Sequence, residues 1–188
     1  MATTVSPYGL RPSTMQGGQV MTHGMRLLPI TLNYATGIFN GDLVQLTSGF
    51  LTKTTGTTGI APIGVFIGCE YEDASLGLFH RAFWPASQAI KTGTTAWGYV
   101  IDDPDVLFEI QADGAVAATA LGLNANVVQG AGIVATGKSQ VALATAGIAA
   151  TATFPLRIVD LVRKPGNAFG AGYTDLIVRI NTHANRTA

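Results

Sequence analysis

The residue pattern with the most specific chemical meaning in this sequence runs from Gly132 to Ser139. It reads Gly-Ile-Val-Ala-Thr-Gly-Lys-Ser and fits the phosphate-loop pattern GxxxxGK followed by Ser or Thr. In such a loop, backbone N–H groups surround the phosphates, the lysine reaches the terminal phosphates and the hydroxyl binds magnesium. This chemistry requires a buried strand directly before the loop and a helix directly after it. The pattern predicts a nucleotide site only where both elements are present.

The residues around this pattern argue against a nucleotide site. Residues 129–131 separate it from the preceding valines, and Val141 and Leu143 after it alternate as they would in a strand. The rest of the chain reads mostly as strands, so a parallel sheet covered by helices cannot be completed. Asp160, the candidate acidic partner, follows too soon for an intervening helix and strand. We therefore expect a chance match in a stretch rich in Gly, Ala and Thr.

A second group of chemically capable side chains is an acidic turn that contains Asp102, Asp103 and Asp105. Carboxylate oxygens of this kind are ligands that calcium accepts. The spacing of an EF-hand loop is absent, and Pro104 divides the group. The sequence favours a solvated turn, with a weak cation site as the alternative.

No other set of reactive side chains has a catalytic or metal-binding spacing. Glu70 and Glu72 share one face of a predicted strand beside Asp73, which is more typical of a solvated face than of glycosidase carboxylates. The nucleophile pattern GxSxG is absent. The histidines are far apart in sequence and have no metal-ligand spacing; they are His23, His80 and His183. We predict a non-enzymatic protein without a cofactor or a metal.

Cys69 is the only cysteine of the chain, which excludes an internal disulfide. Strand alternation places it on one face with Ile63, Val65, Ile67 and Tyr71. A thiol in such a setting behaves as a small hydrophobic side chain. We therefore expect a buried core thiol and not a reactive nucleophile.

The composition restricts the classes of partner. Only 12% of the 188 residues are charged, against about 25% in typical soluble domains. The surface of a protein with so few charged residues is either covered by small polar residues or partly buried against partner chains. The formal net charge is zero and no basic block occurs, which argues against nucleic-acid binding. The charge-free stretch 115–137 contains Asn, Gln and several Gly residues, so we expect no membrane span and no membrane partner.

The stretch from Trp97 to Gln111 is the clearest structural pattern in the sequence. Aromatic and β-branched residues alternate with other residues on both sides of Pro104, and this period of two is typical of strands. Proline cannot donate to a sheet ladder, so pairing must break there. We predict a hairpin of two strands joined by the acidic turn.

Other segments with the same pattern predict an all-β fold, a β-sandwich or barrel of jelly-roll type. Residues 1–24 lack periodicity and are predicted to form an extended arm, and residues 25–188 a single β-domain. At most one short helix is expected, within residues 113–124. The further predicted strands lie at 25–32, 43–46, 50–52, 63–71, 79–84, 141–143, 156–162 and 173–181.

The predicted arm carries residues suited to contact another protein. Tyr8 and Leu10 would act as apolar anchors, and Arg11 as a hydrogen-bond donor next to Pro12. Aromatic residues and arginine are common at the energetic centres of interfaces. We expect this arm to dock on a neighbouring subunit; a solvated tail is the alternative.

Several short stretches, spread over nearly the whole chain, are similar to sequences of one protein family. They are residues 6–12, 40–46, 63–71, 83–85, 100–109 and 178–183. Through them the chain resembles the head decoration, or cement, proteins of tailed double-stranded DNA bacteriophages. The resemblance implies a β-rich protein, commonly a trimer, on the outer surface of the virion. It would be made in the host bacterial cytoplasm, where the lack of a disulfide is expected.

The resemblance also implies the partners. A protein of this family binds the major capsid protein and bridges neighbouring capsid subunits, and it has no catalytic residues. The residues expected to contact the capsid are those of the predicted arm: Tyr8, Leu10, Arg11 and Pro12.

A second hypothesis is a carbohydrate- or receptor-binding β-sandwich of a phage fibre or appendage. Such a protein would expose aromatic rings, such as Trp84 or Trp97, for stacking on sugars. Both residues lie in apolar alternation, so we expect both to be buried, which favours the decoration protein.

Overall fold

In the computed structural model, residues 4–20 and 25–186 are described. These residues form β-strands and two 3₁₀ turns, at Ala118–Ala120 and Ala184–Arg186. The all-β prediction is confirmed. The strands are β1 (Arg11–Met15), β2 (Arg26–Ile30), β3 (Ile38–Phe39), β4 (Leu43–Thr47), β5 (Phe50–Lys53), β6 (Gly64–Asp73), β7 (Gly77–Arg81), β8 (Phe83–Trp84), β9 (Ala96–Ile101), β10 (Val106–Gln111), β11 (Asn124–Ala125), β12 (Val127–Val128), β13 (Ala142–Leu143), β14 (Leu156–Leu161) and β15 (Asp175–Ile180).

Five strands close into a small barrel. They pair in the order β4-β5-β2-β9-β6, and β6 pairs back to β4. The β2–β5 pair is parallel and the other pairs of the barrel are antiparallel. The long strand β6 also pairs with β7 through its second half. Closure satisfies the backbone hydrogen bonds of these strands without leaving a free edge in the ring.

A separate five-stranded sheet packs against the barrel. Its order is β1-β10-β15-β14-β11, and every pair in it is antiparallel. Leu43, Val65 and Ile101 of the barrel belong to one buried cluster with Phe108 and Val178 of this sheet. The main core of the protein therefore lies between the barrel and the five-stranded sheet.

The interior of the barrel forms a second buried cluster. Gly98 of β9 faces inward, and a Cβ atom there would lie 2.6 Å from Leu51 Cδ2 and 3.2 Å from Phe66 Cε2. Only glycine allows these side chains to meet across so narrow a barrel. The strand residues of this cluster are Leu28, Ile30, Ile38, Val44, Leu51, Phe66, Cys69, Tyr71, Trp84, Ala96 and Val100.

The hairpin predicted for Trp97–Gln111 is wrong in its pairing, although both strands exist. Strand β9 belongs to the barrel, whereas β10 belongs to the five-stranded sheet. In the turn between them, Asp105 N donates to Asp103 Oδ1 at 2.8 Å. Because Pro104 has no N–H to donate to a ladder, the chain leaves one sheet here and enters the other.

The described part of the predicted arm includes a strand that packs on the five-stranded sheet. Strand β1 pairs antiparallel with β10, with Arg11 opposite Glu109 and Pro12 opposite Phe108. Leu10 is only 1% exposed and belongs to the main core. The backbone hydrogen bonds of this segment include Leu10 N to Gly41 O at 2.8 Å. Residues 21–24, and His23 with them, lie outside the described residues.

The short helix expected within residues 113–124 is present only as the 3₁₀ turn Ala118–Ala120. Gly122 follows it with φ +78°, a conformation that favours glycine and ends the turn. In the described part of the chain, no helix is long and apolar enough to cross a membrane.

We predict that Leu10→Ala lowers the free energy of unfolding by about 2–5 kcal/mol, since it opens a cavity in the main core. Urea denaturation followed by tryptophan fluorescence measures this change. Leu32→Ala is the matched control, because Leu32 is 59% exposed, and it should change stability by less than about 0.5 kcal/mol. Equal stability of Leu10→Ala and the wild type would show that residues 8–12 detach from the domain in solution.

Candidate binding surfaces

The segment that matches the phosphate-loop pattern forms a turn and not a phosphate loop. Ile133 N donates to Lys138 O at 2.8 Å, and Gly137 N donates to Ile133 O at 2.7 Å. The chain continues into the short strand β13 instead of a helix. Ser139 is fully buried, and its Oγ donates to Asp42 Oδ1 at 2.6 Å. The hydroxyl that would bind magnesium therefore has a structural partner.

The Asp42 carboxylate has two further partners besides Ser139. Its Oδ2 accepts from Phe39 N at 2.8 Å and lies 2.9 Å from Lys53 Nζ. Lys53 Nζ also donates to Gly130 O at 3.1 Å. These contacts hold a fully buried carboxylate, and they serve the fold rather than a reaction.

The carboxylates of the acidic turn form contacts within the chain. Asp102 Oδ2 lies 3.0 Å from Arg26 Nη1, and Asp105 forms an ion pair with Arg186. Asp103 accepts the turn hydrogen bond from Asp105. Among residues 4–20 and 25–186, no group of three or more His, Cys, Asp and Glu side chains is placed to hold a metal ion.

The single thiol lies in the core, as predicted. Cys69 is buried, and its Sγ donates to Phe83 O at 3.3 Å. Burial raises the pKa of this thiol to about 12, against a smaller opposite effect of Arg81. At neutral pH the group is therefore protonated and is a poor nucleophile.

The two tryptophans occupy opposite environments. Trp84 is buried as predicted, and its ring packs edge-on against Tyr71 with centroids 5.4 Å apart. Trp97 is 37% exposed, so the prediction that it is buried is wrong. Because Gly98 faces into the barrel, alternation turns Trp97 and Tyr99 outward.

Polar groups surround Trp97 on the outside of the barrel. It lies opposite Glu70, whose Oε2 accepts a hydrogen bond from Tyr99 Oη at 2.5 Å and lies 3.5 Å from His80 Nδ1. The hydrogen bond to this carboxylate raises the pKa of Tyr99. Leu27 and Phe50 are exposed on the same side. We call Leu27, Phe50, Glu70, Trp97 and Tyr99 the barrel face.

The outer side of the five-stranded sheet is a second surface. Alternation turns one set of side chains in β10, β14 and β15 away from the main core. We call this set the sheet face; it comprises Leu107, Glu109, Arg157, Ile177 and Arg179 together with Tyr8 and Arg11. Arg179 lies on this face in register with Leu107 and Arg157.

Tyr8 and Arg11 have fixed positions on the sheet face. Tyr8 Oη donates to Asp175 Oδ1 at 2.9 Å, and the Arg11 guanidinium lies 4.7 Å above the Tyr8 ring. Burial, followed by the hydrogen bond to Asp175, raises the pKa of Tyr8. Leu10 points into the core and is not available to a partner, and Pro12 is half-buried beside β10. Two of the four predicted contact residues are thus clearly placed at this surface.

Periodicity did not predict the apolar cavity beside Phe39 and Phe83. It has a volume of about 590 Å³ and lies between the Phe39–Phe83 ring stack and residues 130–134. The rings are parallel, with centroids 5.2 Å apart. The lining of the cavity includes the cations Lys53 and Arg81, and the Arg81 guanidinium lies 4.8 Å from the Phe79 ring centroid. Phe39 and Phe83 come from strands β3 and β8, which are too short for a clear pattern.

Comparison with protein-family models, with curated proteins and with solved structures gives no match to this chain. Its function is therefore inferred from its own residues and from the two surfaces described above.

His183 is the one described histidine that is fully buried. Its Nδ1 accepts from Asn185 N at 3.1 Å, and its Nε2 has no hydrogen-bond partner among the described residues. Burial lowers the pKa of this imidazole, and the nearby carboxylates of Asp102 and Asp103 oppose that effect only in part. The folded protein therefore resists protonation at this position.

We predict that stability falls as the pH drops below about 6.5, the ordinary pKa of histidine. In that range the unfolded chain binds a proton at His183 that the folded chain does not, so stability rises with pH. Urea denaturation at a series of pH values between about 5 and 8 measures the slope. His183→Gln should reduce it. An unchanged slope in His183→Gln would contradict the assignment.

Proposed function

We propose that this chain is a capsid decoration protein of a tailed double-stranded DNA bacteriophage. In this proposal it acts without catalysis: it binds the outer surface of the assembled capsid, as a trimer, and cements neighbouring capsid subunits. The resemblance carried by the short stretches points to this role. The observation that supports it best is the sheet face, on which Tyr8 and Arg11 are held in place beside one another.

Tyr8 and Arg11 suit an interface for a physical reason. Tyrosine and arginine contribute strongly to binding when they are buried at the centre of an interface. Ordering such side chains on binding normally costs conformational entropy. Here Tyr8 is already fixed by Asp175, and Arg11 is stacked on Tyr8. Less entropy is then lost when the sheet face meets a capsid subunit.

Association between copies is supported by exposed apolar side chains elsewhere. Leu76 and Leu78, at the β6–β7 turn, are among the most exposed large hydrophobic residues described. The low charge of the chain fits lateral surfaces that become buried against other copies. A protein that binds only the assembled lattice stabilises that lattice by mass action. The proposed trimer would strengthen the shell in this way.

We predict that Arg11→Glu weakens binding to the phage capsid by about tenfold or more, because it reverses the charge at the proposed interface. Cosedimentation of purified protein with undecorated capsids measures this affinity. Lys138→Glu makes the same charge change at an exposed turn outside the sheet face and should bind like the wild type. Failure of the wild-type protein to bind capsids would refute the decoration role. Unaltered binding of Arg11→Glu would remove the sheet face from the interface.

A carbohydrate-binding role is the second candidate, and the exposure of Trp97 favours it. An aromatic ring on a flat surface can stack on the apolar face of a sugar ring. Glu70, Tyr99 and His80 beside it offer hydrogen-bonding groups for sugar hydroxyls. In this proposal the barrel face binds a glycan or a receptor of a host cell, as part of a fibre or appendage.

We predict for this second candidate that host surface glycan quenches the fluorescence of Trp97 in a saturable way. Trp97→Phe would lose the signal but keep a stacking ring, and Trp97→Ala would weaken glycan binding about tenfold or more in calorimetry. Leu46→Ala is a control at another exposed apolar position. Absence of any saturable binding by the wild type would rule out a glycan site on the barrel face.

A further inference from the structure

Two arginines lie directly opposite each other on the sheet face. Arg157 of β14 and Arg179 of β15 are register partners in the antiparallel ladder. The Cβ atoms of two residues that are directly opposite in an antiparallel pair lie about 4.5–5.5 Å apart. Like charges placed directly opposite destabilise a sheet. A second feature is therefore needed to explain why this arrangement is present.

Neither guanidinium is neutralised by the chain itself. Arg179 Nη1 donates to the uncharged Gln16 Oε1 at 3.3 Å, and Arg179 Nε is shielded from solvent without a hydrogen-bond partner among the described residues. Arg157 makes no ion pair or hydrogen bond with any residue that the structure describes. The nearest acid along β14, Asp160, faces Arg163 at 3.5 Å instead. A buried donor without a partner has lost its hydrogen bonds to water without replacement, which destabilises the fold.

The two guanidinium groups line a cleft with room for a ligand. The cleft has a volume of about 400 Å³, and its walls include Gln16, Leu107, Gly122 and Val159. A Cβ atom at Gly122 would lie 3.8 Å from Arg157 Nη2. Gly122 and the Arg157 guanidinium are therefore neighbours in the wall of the cleft.

We propose that the cleft between Arg157 and Arg179 binds a compact oxyanion, a carboxylate or a phosphate group. Each guanidinium presents a planar set of N–H donors that matches two oxygens of such a group. An anion between them would convert the repulsion of two like charges into two favourable pairs. This site lies on the same sheet face as Tyr8 and Arg11, in its β14–β15 part, and its binding of a free anion does not depend on the capsid contact proposed there.

The chemistry of the surroundings limits the ligand to a single anionic group. The chain has a net charge of zero and few charged residues, which disfavours a long polyanion such as nucleic acid. The apolar side chains of Leu107 and Val159 border the two cations. The cleft thus offers two cations and an apolar border. A free phosphate ion fits between the cations, and so does a carboxylate on an apolar stem, such as a Glu side chain of a protein partner.

The test is a titration followed through the Nε–H signals of the arginines in ¹⁵N-edited NMR spectra. Inorganic phosphate and glutarate are added separately, with sodium chloride at equal ionic strength as the reference. We expect saturable shifts of the Arg157 and Arg179 signals and little change at Arg163, whose side chain is 87% exposed. Saturation with phosphate alone identifies a phosphate site, and saturation with glutarate alone a carboxylate site. Saturation with both supports the shared oxyanion chemistry.

Substitutions separate binding from general salt effects. Arg157→Gln should weaken the binding of the effective anion about tenfold or more, and Arg163→Gln should leave it unchanged. In anion-free buffer of low ionic strength, Arg157→Gln should melt no lower than the wild type, because it removes the like-charge contact. The anion should then raise the melting temperature of the wild type and of Arg163→Gln more than that of Arg157→Gln.

Three results would overturn the proposal. The first is the absence of saturable shifts with either anion. The second is an equal shift of all arginine signals with anions and with chloride, which indicates screening alone. The third is an Arg157→Gln protein that binds like the wild type. Should Arg157→Gln fail to fold, Arg157→Lys keeps the charge but loses the planar donor fork, and it should bind more weakly than the wild type.

Discussion

The structure depends on one buried carboxylate, that of Asp42, at the junction of its two cores. The next residues along the chain divide between them: Leu43 joins the main core and Val44 the barrel interior. Asp42 accepts hydrogen bonds from Ser139 and the backbone of Phe39 and is paired with Lys53. A buried charge is tolerated only with such partners, since breaking a buried pair costs about 3–5 kcal/mol. The barrel, the β3–β4 turn and the 132–139 segment are therefore fixed to each other at this point.

This constraint also explains the phosphate-loop pattern. A Cβ atom on Gly132 would lie 2.3 Å from the ring of Phe39, and one on Gly137 would lie 2.8 Å from Ala82 Cβ. Both glycines have positive φ angles, and Ser139 is the buried partner of Asp42. Three of the four defining positions are thus explained by packing and hydrogen bonding. Lys138, the fourth, is exposed. Among the described elements, the short strand β13 follows the segment where a phosphate loop requires a helix.

Periodicity predicted where most long strands lie, but not which strands pair. It located β4, β6, β10 and β15, since alternation of buried and exposed side chains depends only on the local sequence. Pairing of β9 with β10 failed because alternation says which face is buried and nothing about the partner strand. The burial predicted for Trp97 was wrong because the narrow barrel interior has room only for its neighbour Gly98. Alternation then directs the Trp97 ring outward. Strand β1 (Arg11–Met15) was missed since its short polar sequence lacks alternation and it is ordered by hydrogen bonds to β10. Periodicity could not predict that Arg157 and Arg179 lie opposite each other on the sheet face, because this depends on the register between β14 and β15.

The strand edges indicate how such a molecule can associate. Open edges invite pairing with another chain, yet the barrel strands close on themselves. In the five-stranded sheet, one edge is the two-residue strand β11. The other is β1, which carries Pro12 and an irregular register between Pro12 and Met15. Proline and bulges are the devices by which edges avoid pairing. The outer edge of β7, which pairs with β6 alone among the described strands, stays open, so only the edges of the five-stranded sheet are protected in this way.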